Sequence, residues 1–585
     1  MLEGEVVPKA RLPLVPQHTT RGTNASANVA KDGRIINGII TVAPNPIARS
    51  AEVFIEKRVG MVALNAFLVG QYKYGISSVP NVAGAGFVYT TASAVAPGLS
   101  SAGVTNVYRG TTLLGTSDSE AGFQIPHIVS AKLSGTTFVF FSHGGYRASE
   151  TNGGSVYYYD TSVDTGTSTF TADTTSGSPI LSNVSSTTNL RVGQRLSGTG
   201  IHADARIAAG GISGTNVTMT NNASASNPTV TITQQWLSKI MSPNFPSRPY
   251  GPVQSVNGRI FVADRSSGAI YQSALNDPQT WSASEYIATD SNADALVTIE
   301  NLGGSIYAIS QNSIEKFSYA NNASGSQLSR ASSITTTGAQ DFAHNVATSF
   351  MGAIYFYGFR GGIYRLGGSG IQNISTAPID SIMESAVQAA GSSKNIFVDG
   401  FYYSGRPFLS VGCVAGSTAA RLYQFFYDIT NNVWLEQSFE MSSSVACRLV
   451  VAGIEENDTC YILPVSDLGT LHRLNFGSPV YQDDGNAYTL TIQLPRSDLG
   501  TINRKFIKSV GWVGDTQSSG TMTLAYSDDD GANFTTAGTF DKTNPNIRIY
   551  RLGSHKGGRI YRLTDSHNSA CRLQAIDIEY EAAST

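Results

Sequence analysis

Pairs of short hydrophobic strands joined by tight polar turns recur along this chain, and they constrain its fold more than any other feature. In each pair, a run of β-branched or aromatic residues leads into a turn containing Gly, Asn or Ser, and a second such run follows. This is the pattern of a β-hairpin. Clear examples begin at Phe138, Arg259, Ser305, Ala353 and Tyr423.

The hairpins also recur at a nearly constant spacing. Ile260, Ile306 and Ile354 occupy equivalent first strands and are separated by 46 and 48 residues. That spacing matches one four-stranded propeller blade per repeat, whereas the alternation of apolar residues with a period near two argues against helical repeats. Because one sheet cannot bury both of its faces alone, the blades must pack around an axis. The sequence therefore predicts a β-propeller.

The composition agrees with an all-β protein. Charged residues make up only 14% of the chain, hydrophobic residues 41% and aromatic residues 10%. Long exposed helices normally carry many Glu, Lys and Arg residues, and disordered chains lack this much apolar content. One helix is nevertheless predicted, over 377–391, where helix formers carry an apolar stripe after a Ser-Thr-Ala-Pro start signal.

Changes in pattern along the chain predict five regions. Residues 1–60 are proline-rich and read as an extended N-terminal arm, which must lie against its own domain or against a neighbouring subunit. Residues 61–165 and 236–484 form the two parts of the propeller. Residues 166–235, rich in Ser, Thr and Gly, form a small β module inserted in a propeller loop. Residues 485–585 alternate cleanly and predict a C-terminal β-sandwich-like domain.

One segment carries an acidic turn motif. Ser527, Asp529, Gly531 and Phe534 fit the Ser-x-Asp-x-Gly-x-x-aromatic pattern of the Asp-box, in which polar side chains bond the backbone of a tight hairpin and the aromatic ring packs inward. We interpret these four residues as a structural turn. The acidic residues leave open an ion site or a glycosidase-type carboxylate pair, although the spacing and terminal Glu of an EF-hand loop are missing.

Other chemistry has little support in the sequence. The eight histidines are scattered without metal-ligand spacing, the four cysteines form no C-x-x-C pair, and no P-loop or nucleophile elbow occurs. We therefore predict no catalytic residues, no metal and no cofactor. We expect the cysteines to be buried thiols, with a disulfide between Cys447 and Cys460 as an alternative.

Charge and hydropathy address possible partners. The net charge of −3, from 39 basic and 42 acidic residues, gives no reason to expect tight DNA binding, although a local basic patch stays open. The first residues do not form a signal peptide, and we find no apolar run of the roughly 18 residues that a membrane helix needs. The sequence therefore predicts no membrane insertion.

The order of features resembles the tail-hub, or packaged-DNA stabilisation, proteins of P22-like short-tailed bacteriophages. Lys57, Arg58 and Gly60 are similar to a Lys-Arg-Pro-Gly signature that ends the N-terminal arm in this family, with Val59 in place of the proline. The strand followed by Ser-Ile-Glu-Lys-Phe-Ser-Tyr within 306–319, the Thr337-Gly338 pair and the closing β-strands follow the family order. The module at 166–235 departs from it.

This resemblance implies a structural, non-enzymatic virion protein that is made in the host cytoplasm and incorporated into a short tail. It implies a homohexameric ring, a tail nozzle below the portal and its adaptor protein, that contacts a tail fibre or spike and a tail needle or plug. Genomic DNA would pass through its channel without specific binding. The alternative is a carbohydrate-binding or glycan-hydrolysing β-propeller that recognises a host receptor.

Overall fold

The computed structural model describes most of the chain in separate ranges: 9–13, 33–45, 50–66, 72–79, 87–93, 105–110, 112–118, 127–142, 154–163, 168–289, 294–322, 324–334, 337–340, 345–390, 394–415, 423–439, 449–450, 455–456, 459–464, 470–544 and 546–583. The described residues form many antiparallel strands and one helix. The predicted fold class, an all-β propeller with an inserted module and a sandwich-like C-terminal region, is confirmed.

The N-terminal region contributes strands to two parts of the molecule. Its strands are β1 (Lys9–Pro13), β2 (Arg34–Ile36), β3 (Gly38–Asn45), β4 (Ser50–Lys57) and β5 (Met61–Ala66). The first four lie in the C-terminal sandwich, whereas β5 joins the propeller.

The first two blades follow. The first consists of β6 (Tyr72–Val79), β7 (Phe87–Ser93), β8 (Asn106–Arg109) and β9 (Thr112–Thr116). The second begins with β10 (His127–Leu133), β11 (Thr136–Ser142) and β12 (Val156–Asp160).

The Ser/Thr/Gly-rich segment folds as a small module before the second blade is completed. Its strands are β13 (Thr169–Thr174), β14 (Ile180–Leu181), β15 (Gln194–Gly198), β16 (Ile207–Ser213) and β17 (Asn216–Met219). The long strand β18 (Asn227–Lys239) pairs with β13 and β15 of the module and then with β12, as the outermost strand of the blade. The module encloses a core of its own around Leu181, Leu196 and Ile232.

Three regular four-stranded blades come next. The third contains β19 (Pro249–Val256), β20 (Arg259–Asp264), β21 (Ala269–Ala274) and β22 (Asp277–Ala288). The fourth contains β23 (Leu296–Leu302), β24 (Ser305–Ser310), β25 (Ile314–Tyr319) and β26 (Leu328–Ile334). The fifth contains β27 (Ala347–Phe350), β28 (Ala353–Tyr357), β29 (Ile363–Gly367) and β30 (Gly370–Asn373).

These three blades explain the spacing seen in the sequence. Ile260, Ile306 and Ile354 are fully buried, and each lies on the second strand of its blade. The predicted helix is also confirmed. Helix α1 (Ala377–Ala390) follows the fifth blade and packs on the sixth, with Met383 buried.

The last two blades complete the propeller. The sixth contains β31 (Lys394–Tyr403), β32 (Arg406–Ala415), β33 (Tyr423–Asp428) and β34 (Val433–Gln437). The seventh contains β35 (Leu449–Val450), β36 (Glu455–Glu456), β37 (Thr459–Pro464) and β38 (Thr470–Leu474), with β5 as its outermost strand.

Contacts between the inner strands close the circle. Within the described part of the chain, β6, β10, β19, β23, β27 and β31 each lie against the next, and β37 contacts both β31 and β6. Seven sheets thus surround one axis in the described residues, and β5 joins the beginning of the chain to the last blade. Such pairing protects sheet edges that would otherwise be exposed.

The C-terminal strands form a two-layer sandwich together with the N-terminal ones. They are β39 (Gln482–Asp483), β40 (Asn486–Ala487), β41 (Leu490–Gln493), β42 (Lys505–Gly514), β43 (Thr521–Ser527), β44 (Thr535–Asp541), β45 (Arg548–Tyr550), β46 (Ser554–His555), β47 (Ile560–Asp565) and β48 (Arg572–Ala582). One layer has the order β3-β4-β48-β42-β45, with β1 paired to β48 and β46 to β42. The other, β2-β41-β47-β43-β44, continues the sheet of the sixth blade, because Ile36 pairs with Glu436.

The described part of the predicted arm over 1–60 lies against its own chain, which is the first of the two alternatives. Ile39, Ile40 and Ile55 are buried in the same core as residues of β42, β47 and β48. The β3–β4 hairpin is therefore an integral layer of the sandwich. Residues 1–8, 14–32 and 46–49 of the predicted arm lie outside the described residues.

Two further expectations concern the cysteines and a membrane-spanning helix. Cys413 and Cys571 are buried free thiols, as predicted, whereas the side chains of Cys447 and Cys460 lie outside the described residues. Within the described ranges, no helix is both long and apolar enough to cross a membrane.

Candidate functional site

The segment from Lys57 to Gly60 lies at the joint between the sandwich and the propeller. It connects β4, in one layer of the sandwich, to β5, the outermost strand of the seventh blade. The Arg58 side chain is fully enclosed there, and its two terminal nitrogens donate to the two carboxylate oxygens of Asp483 at 2.9 and 2.5 Å. This two-point geometry is the strongest that Arg can form with a carboxylate.

Arg58 also contacts a third part of the chain. Its guanidinium carbon lies 3.9 Å from the centre of the Tyr488 ring and 4.4 Å from that of the Phe439 ring. One terminal guanidinium nitrogen also donates to the carbonyl of Ser438 at 2.8 Å. Burial opposes the charge, but Asp483 more than offsets it, so the pKa of Arg58 is raised. The side chain thus joins the end of the sixth blade, the β4–β5 connection and the entry to the sandwich.

Gly60 and Lys57 complete this joint. A Cβ atom on Gly60 would lie 2.0 Å from the carbonyl oxygen of Gln482, so no side chain fits. The Lys57 ammonium donates to the carbonyl of His567 at 2.7 Å and lies 3.8 Å from Asp565. Burial lowers the pKa of Lys57 to about 8, although Asp565 opposes that shift.

The predicted assembly signature is therefore internal. Lys57, Arg58 and Gly60 are all buried by their own chain, and none offers a side chain to a neighbouring subunit. A role in assembly stays a prediction for these residues, and the structure gives them an intramolecular one. Sequence alone could not show this, because a basic pair near an N-terminus is usually exposed.

The acidic turn connects β43 and β44 at the outer part of the sandwich, and its polar groups are occupied within the turn. The Ser527 hydroxyl donates to Asp529 at 2.7 Å and accepts from the backbone N–H of Gly531 at 2.8 Å. Asp529 also accepts from the backbone N–H and side-chain amide of Asn533, at 2.9 and 2.7 Å. Asp530 and Gly531 have φ angles of +60° and +84°, as a tight turn requires.

These hydrogen bonds determine the chemistry of the turn. The bond from the Asn533 backbone, with those from Ser527 and the Asn533 side chain, lowers the pKa of Asp529 to about 2. A carboxyl group that stays ionised at neutral pH is unsuited to act as a general acid. Phe534 is half-buried, and the guanidinium of Arg562 lies 3.4 Å from its ring centre.

A buried arginine, Arg559, supports the same turn. Arg559 is 1% exposed, and it donates to both oxygens of Asp528 at 2.7 and 2.8 Å. It also donates to the carbonyl of Leu552 at 2.8 Å. The pair between Arg559 and Asp528 secures the acidic turn to β47, and no local spacing in the sequence could have indicated it.

Two buried acidic residues that show no motif in the sequence lie between the blades. Glu300, on β23, is buried and accepts from the backbone of Ser349 on β27, while Asp399, on β31, accepts from the amide of Asn345. Burial is the main cause that raises the pKa of both carboxyl groups to about 8, and Asp399 contributes to the raised pKa of Glu300. Both groups are therefore largely neutral at pH 7.

A cleft of about 650 Å³ lies where the inserted module meets the second and third blades. Its walls combine aromatic and polar side chains, namely Phe138, Tyr158, Asp160, Arg191, Asp277 and Gln279. Arg191 lies 3.4 Å from Asp160, and the Gln279 amide donates to the Tyr158 hydroxyl at 3.1 Å and to the Val192 carbonyl at 2.9 Å. These contacts connect the module to both blades. A ring, carboxylates and a guanidinium in a cleft of this size can receive a hydroxyl-rich ligand.

Metal binding has no support in the described residues. Across those ranges, no three His, Cys, Asp or Glu side chains come together closely enough to bind a metal ion.

Comparisons with known proteins add little. No family model matches the chain, and no curated protein matches it. Among solved structures, the Trypanosoma rangeli sialidase bound to the inhibitor DANA is 9% identical, with a TM-score of 0.28 and coverage of 98% of this chain and 97% of that one. The phage phi92 endosialidase is 9% identical, with a TM-score of 0.27 and coverage of 74% and 72%. The computationally designed Ika8 protein is 11% identical, with a TM-score of 0.31 and coverage of 71% and 100%. Similarities this weak carry no inference about function.

Proposed function

We propose that this protein is a structural, non-enzymatic subunit of the tail of a short-tailed bacteriophage. In this proposal several copies, six by resemblance to the P22-like tail hubs, form a nozzle below the portal and its adaptor. The ring retains the packaged genome and later lets it leave. A fibre or spike and a needle or plug are its other proposed partners.

The observation that carries this proposal is where the resembling residues lie. Arg58 and Gly60, from the arm signature, form the joint between propeller and sandwich. Gly338, from a second resembling segment, has no room for a side chain, since its Cβ would lie 2.0 Å from the Ser310 carbonyl oxygen. Glu315, from a third, is buried and lies 2.7 Å from Arg330.

These positions share one property: they determine how the parts of the chain fit together. A resemblance that falls on such residues supports a common architecture more directly than a common catalytic site. A protein that acts by assembly depends on that architecture, because the position of each subunit in a ring depends on rigid joints between its domains. The resemblance and the joint therefore support the same proposal.

The charge distribution also supports passage of DNA without binding. Proteins that bind DNA tightly present Lys and Arg side chains to the phosphates. Here several arginines are instead paired with carboxylates of the same chain, namely Arg34 with Glu436, Arg58 with Asp483, Arg206 with Asp118, Arg406 with Asp428 and Arg559 with Asp528. Their positive charge is thus neutralised within the subunit.

A loss-of-function experiment tests this proposal. A phage that carries a nonsense mutation early in the gene should fill its capsids with DNA and then fail to retain it. Supplying the wild-type protein in trans should restore DNA-filled, infectious particles. Particles that retain their DNA and carry a complete tail without this chain would overturn the proposal.

The cleft supports a second candidate function, binding of a host saccharide. Phe138 lies half-buried at the cleft and pairs across the hairpin with Asp160, which places a ring beside a carboxylate. Sugars are commonly bound by such a combination of an aromatic face and directed hydrogen bonds.

Glycan-array binding of the purified protein tests this candidate, with Phe138→Ala as the variant and Phe359→Ala, at an exposed ring on the fifth blade, as the control. The candidate requires a signal that Phe138→Ala abolishes and Phe359→Ala leaves unchanged. Absence of any wild-type signal would exclude it for the glycans on the array.

A further inference from the structure

The strand β1 covers one edge of β48, a strand that lies at the far end of the sequence. It pairs antiparallel with β48 over five residues, from Lys9 opposite Glu579 to Pro13 opposite Ala575. On the same side of β48, β4 pairs only with Arg572 and Leu573. Without β1, the backbone of 575–579 would therefore present an open sheet edge, which proteins normally cover.

The register of this pairing depends on complementary charge. Lys9 lies 3.2 Å from Glu579, and Arg11 donates to Asp577 at 2.8 and 3.2 Å. Basic and acidic residues thus alternate in matching positions along the two strands. A shift of the pairing by one residue would direct these side chains to the opposite face.

Among the described residues, the further contacts that fix β1 to its own subunit are two exposed ion pairs and the side chain of Leu12. The Lys9 and Arg11 side chains are 73% and 61% exposed, and ion pairs this exposed stabilise a fold only weakly. Leu12 is the residue of β1 that packs, partly buried, against the sandwich core. A five-residue edge strand whose described side chains are all partly or fully exposed can be replaced by an identical strand from elsewhere.

The length of the intervening chain allows that replacement. Residues 14–33, twenty in number, separate β1 from β2. Twenty residues span at most about 65–70 Å when extended, a reach on the scale of a whole domain. The backbone partners, the two ion pairs and the Leu12 contact would be the same on a second copy of the chain.

We infer that in the assembled protein β1 of one copy adds to β48 of the neighbouring copy, so that each subunit closes the sandwich of the next. This inference rests on the proposed function, since it requires a ring of identical subunits. Exchange of an identical element between protomers is a low-cost route to assembly, because the contacts formed between subunits are the same as those formed within one. In a ring, the open edge of every subunit would be filled.

A mixture of two variants, each carrying one cysteine added to the four native ones, tests the exchange directly. Lys9→Cys and Glu579→Cys are co-expressed as two separate full-length chains, and the purified assembly is mildly oxidised. Strand exchange predicts a disulfide-linked dimer containing one chain of each variant. Each variant expressed alone is the first control. A mixture of Arg11→Cys with Glu579→Cys, displaced by two residues in register, is the second, and neither control should cross-link appreciably.

The double variant Lys9→Cys/Glu579→Cys tests whether β1 instead pairs with β48 of its own chain. If it forms only an internal disulfide within a monomer, and the mixed single variants give no dimer, β1 stays on its own subunit and the inference is overturned. Failure of the nozzle proposal is distinguishable. If the protein forms a sixfold tail ring but no mixed dimer, the strand-exchange inference is wrong and the nozzle proposal stands. If a mixed dimer forms but the protein is absent from tails, the nozzle proposal is wrong and strand exchange stands.

Discussion

The guanidinium of Arg58 and the carboxylate of Asp483 meet through two hydrogen bonds, of 2.9 and 2.5 Å, at a place where neither side chain reaches solvent. The two residues are 425 positions apart. Their contact joins the strand that closes the propeller to the strands that begin the sandwich. The relative position of the two parts therefore depends on this pair.

Arg58→Ala should destabilise the protein strongly. Removing one partner of a buried ion pair leaves the other charge without compensation, at a cost of about 3–5 kcal/mol. Denaturant unfolding followed by tryptophan fluorescence measures the change. Lys508→Ala, at an exposed ion pair with Glu581, is the control and should cost less than about 1 kcal/mol. Equal effects of the two variants would contradict the role of the joint.

Gly60→Ala should also destabilise the joint, for a steric reason. The added Cβ would lie 2.0 Å from the Gln482 carbonyl oxygen, so the backbone must move. Overpacking of this kind typically costs about 1–3 kcal/mol. Gly368→Ala is the matched control, because nothing lies within 4 Å of its Cβ position. Thermal unfolding of both variants should show a lower midpoint for Gly60→Ala alone.

Glu300 should make stability depend on pH in the neutral range. Burial raises its pKa from 4.5 in the unfolded chain to about 8, so the unfolded state loses the proton first as the pH rises. Stability is then full below pH 4.5 and falls by up to about 1.4 kcal/mol per pH unit until the pH passes 8. The free energy of unfolding of Glu300→Gln should therefore fall less than that of the wild type between pH 5 and 8.

A parallel slope for wild type and Glu300→Gln would show that this carboxyl group is not held neutral. Asp399→Asn offers a second check, on a carboxyl group that also acts on Glu300. Burial raises the pKa of Asp399 as well, so this variant should flatten the same pH range. The other titrating groups are common to all three proteins, so they cancel in the comparison.

Two N-terminal truncations should behave differently. Deleting residues 1–32 removes β1 and leaves β2, β3 and β4 in the sandwich, so the protein should fold with an unchanged circular dichroism spectrum and lose ring assembly. Deleting residues 1–57 also removes Ile39, Ile40 and Ile55 from the core, and soluble protein should be lost. Normal rings from the shorter truncation would show that the N-terminal segment is not needed for assembly.

The repeating parts of the fold could be predicted from the sequence because their determinants are local. Hairpin turns, alternation and the spacing of Ile260, Ile306 and Ile354 are properties of neighbouring residues. Helix α1 and the inserted module were predicted for the same reason: each shows a change of pattern over a short stretch. The hydrogen bonds of the turn at Ser527 and Asp529 also lie within a few residues.

The long-range pairings could not be predicted in this way. A strand pattern over 34–57 indicates strands but not their partners. The partners outside this segment lie 400 residues or more further along the chain, in β34, β41 and β48. The same holds for Arg58 with Asp483 and for Arg559 with Asp528, whose spacing carries no local signal. Burial of such charges depends on packing that only the folded chain reveals.

The most direct test of the central claim is cryo-electron microscopy of this protein assembled with its proposed tail partners. The account predicts this chain in a ring of six copies with an open axial channel, below the capsid vertex and next to the portal adaptor. At side-chain resolution, the ring should also show whether β1 lies on its own or on the neighbouring β48. Single propellers at fibre tips, or protein found only free in the lysate, would contradict the nozzle and favour saccharide recognition.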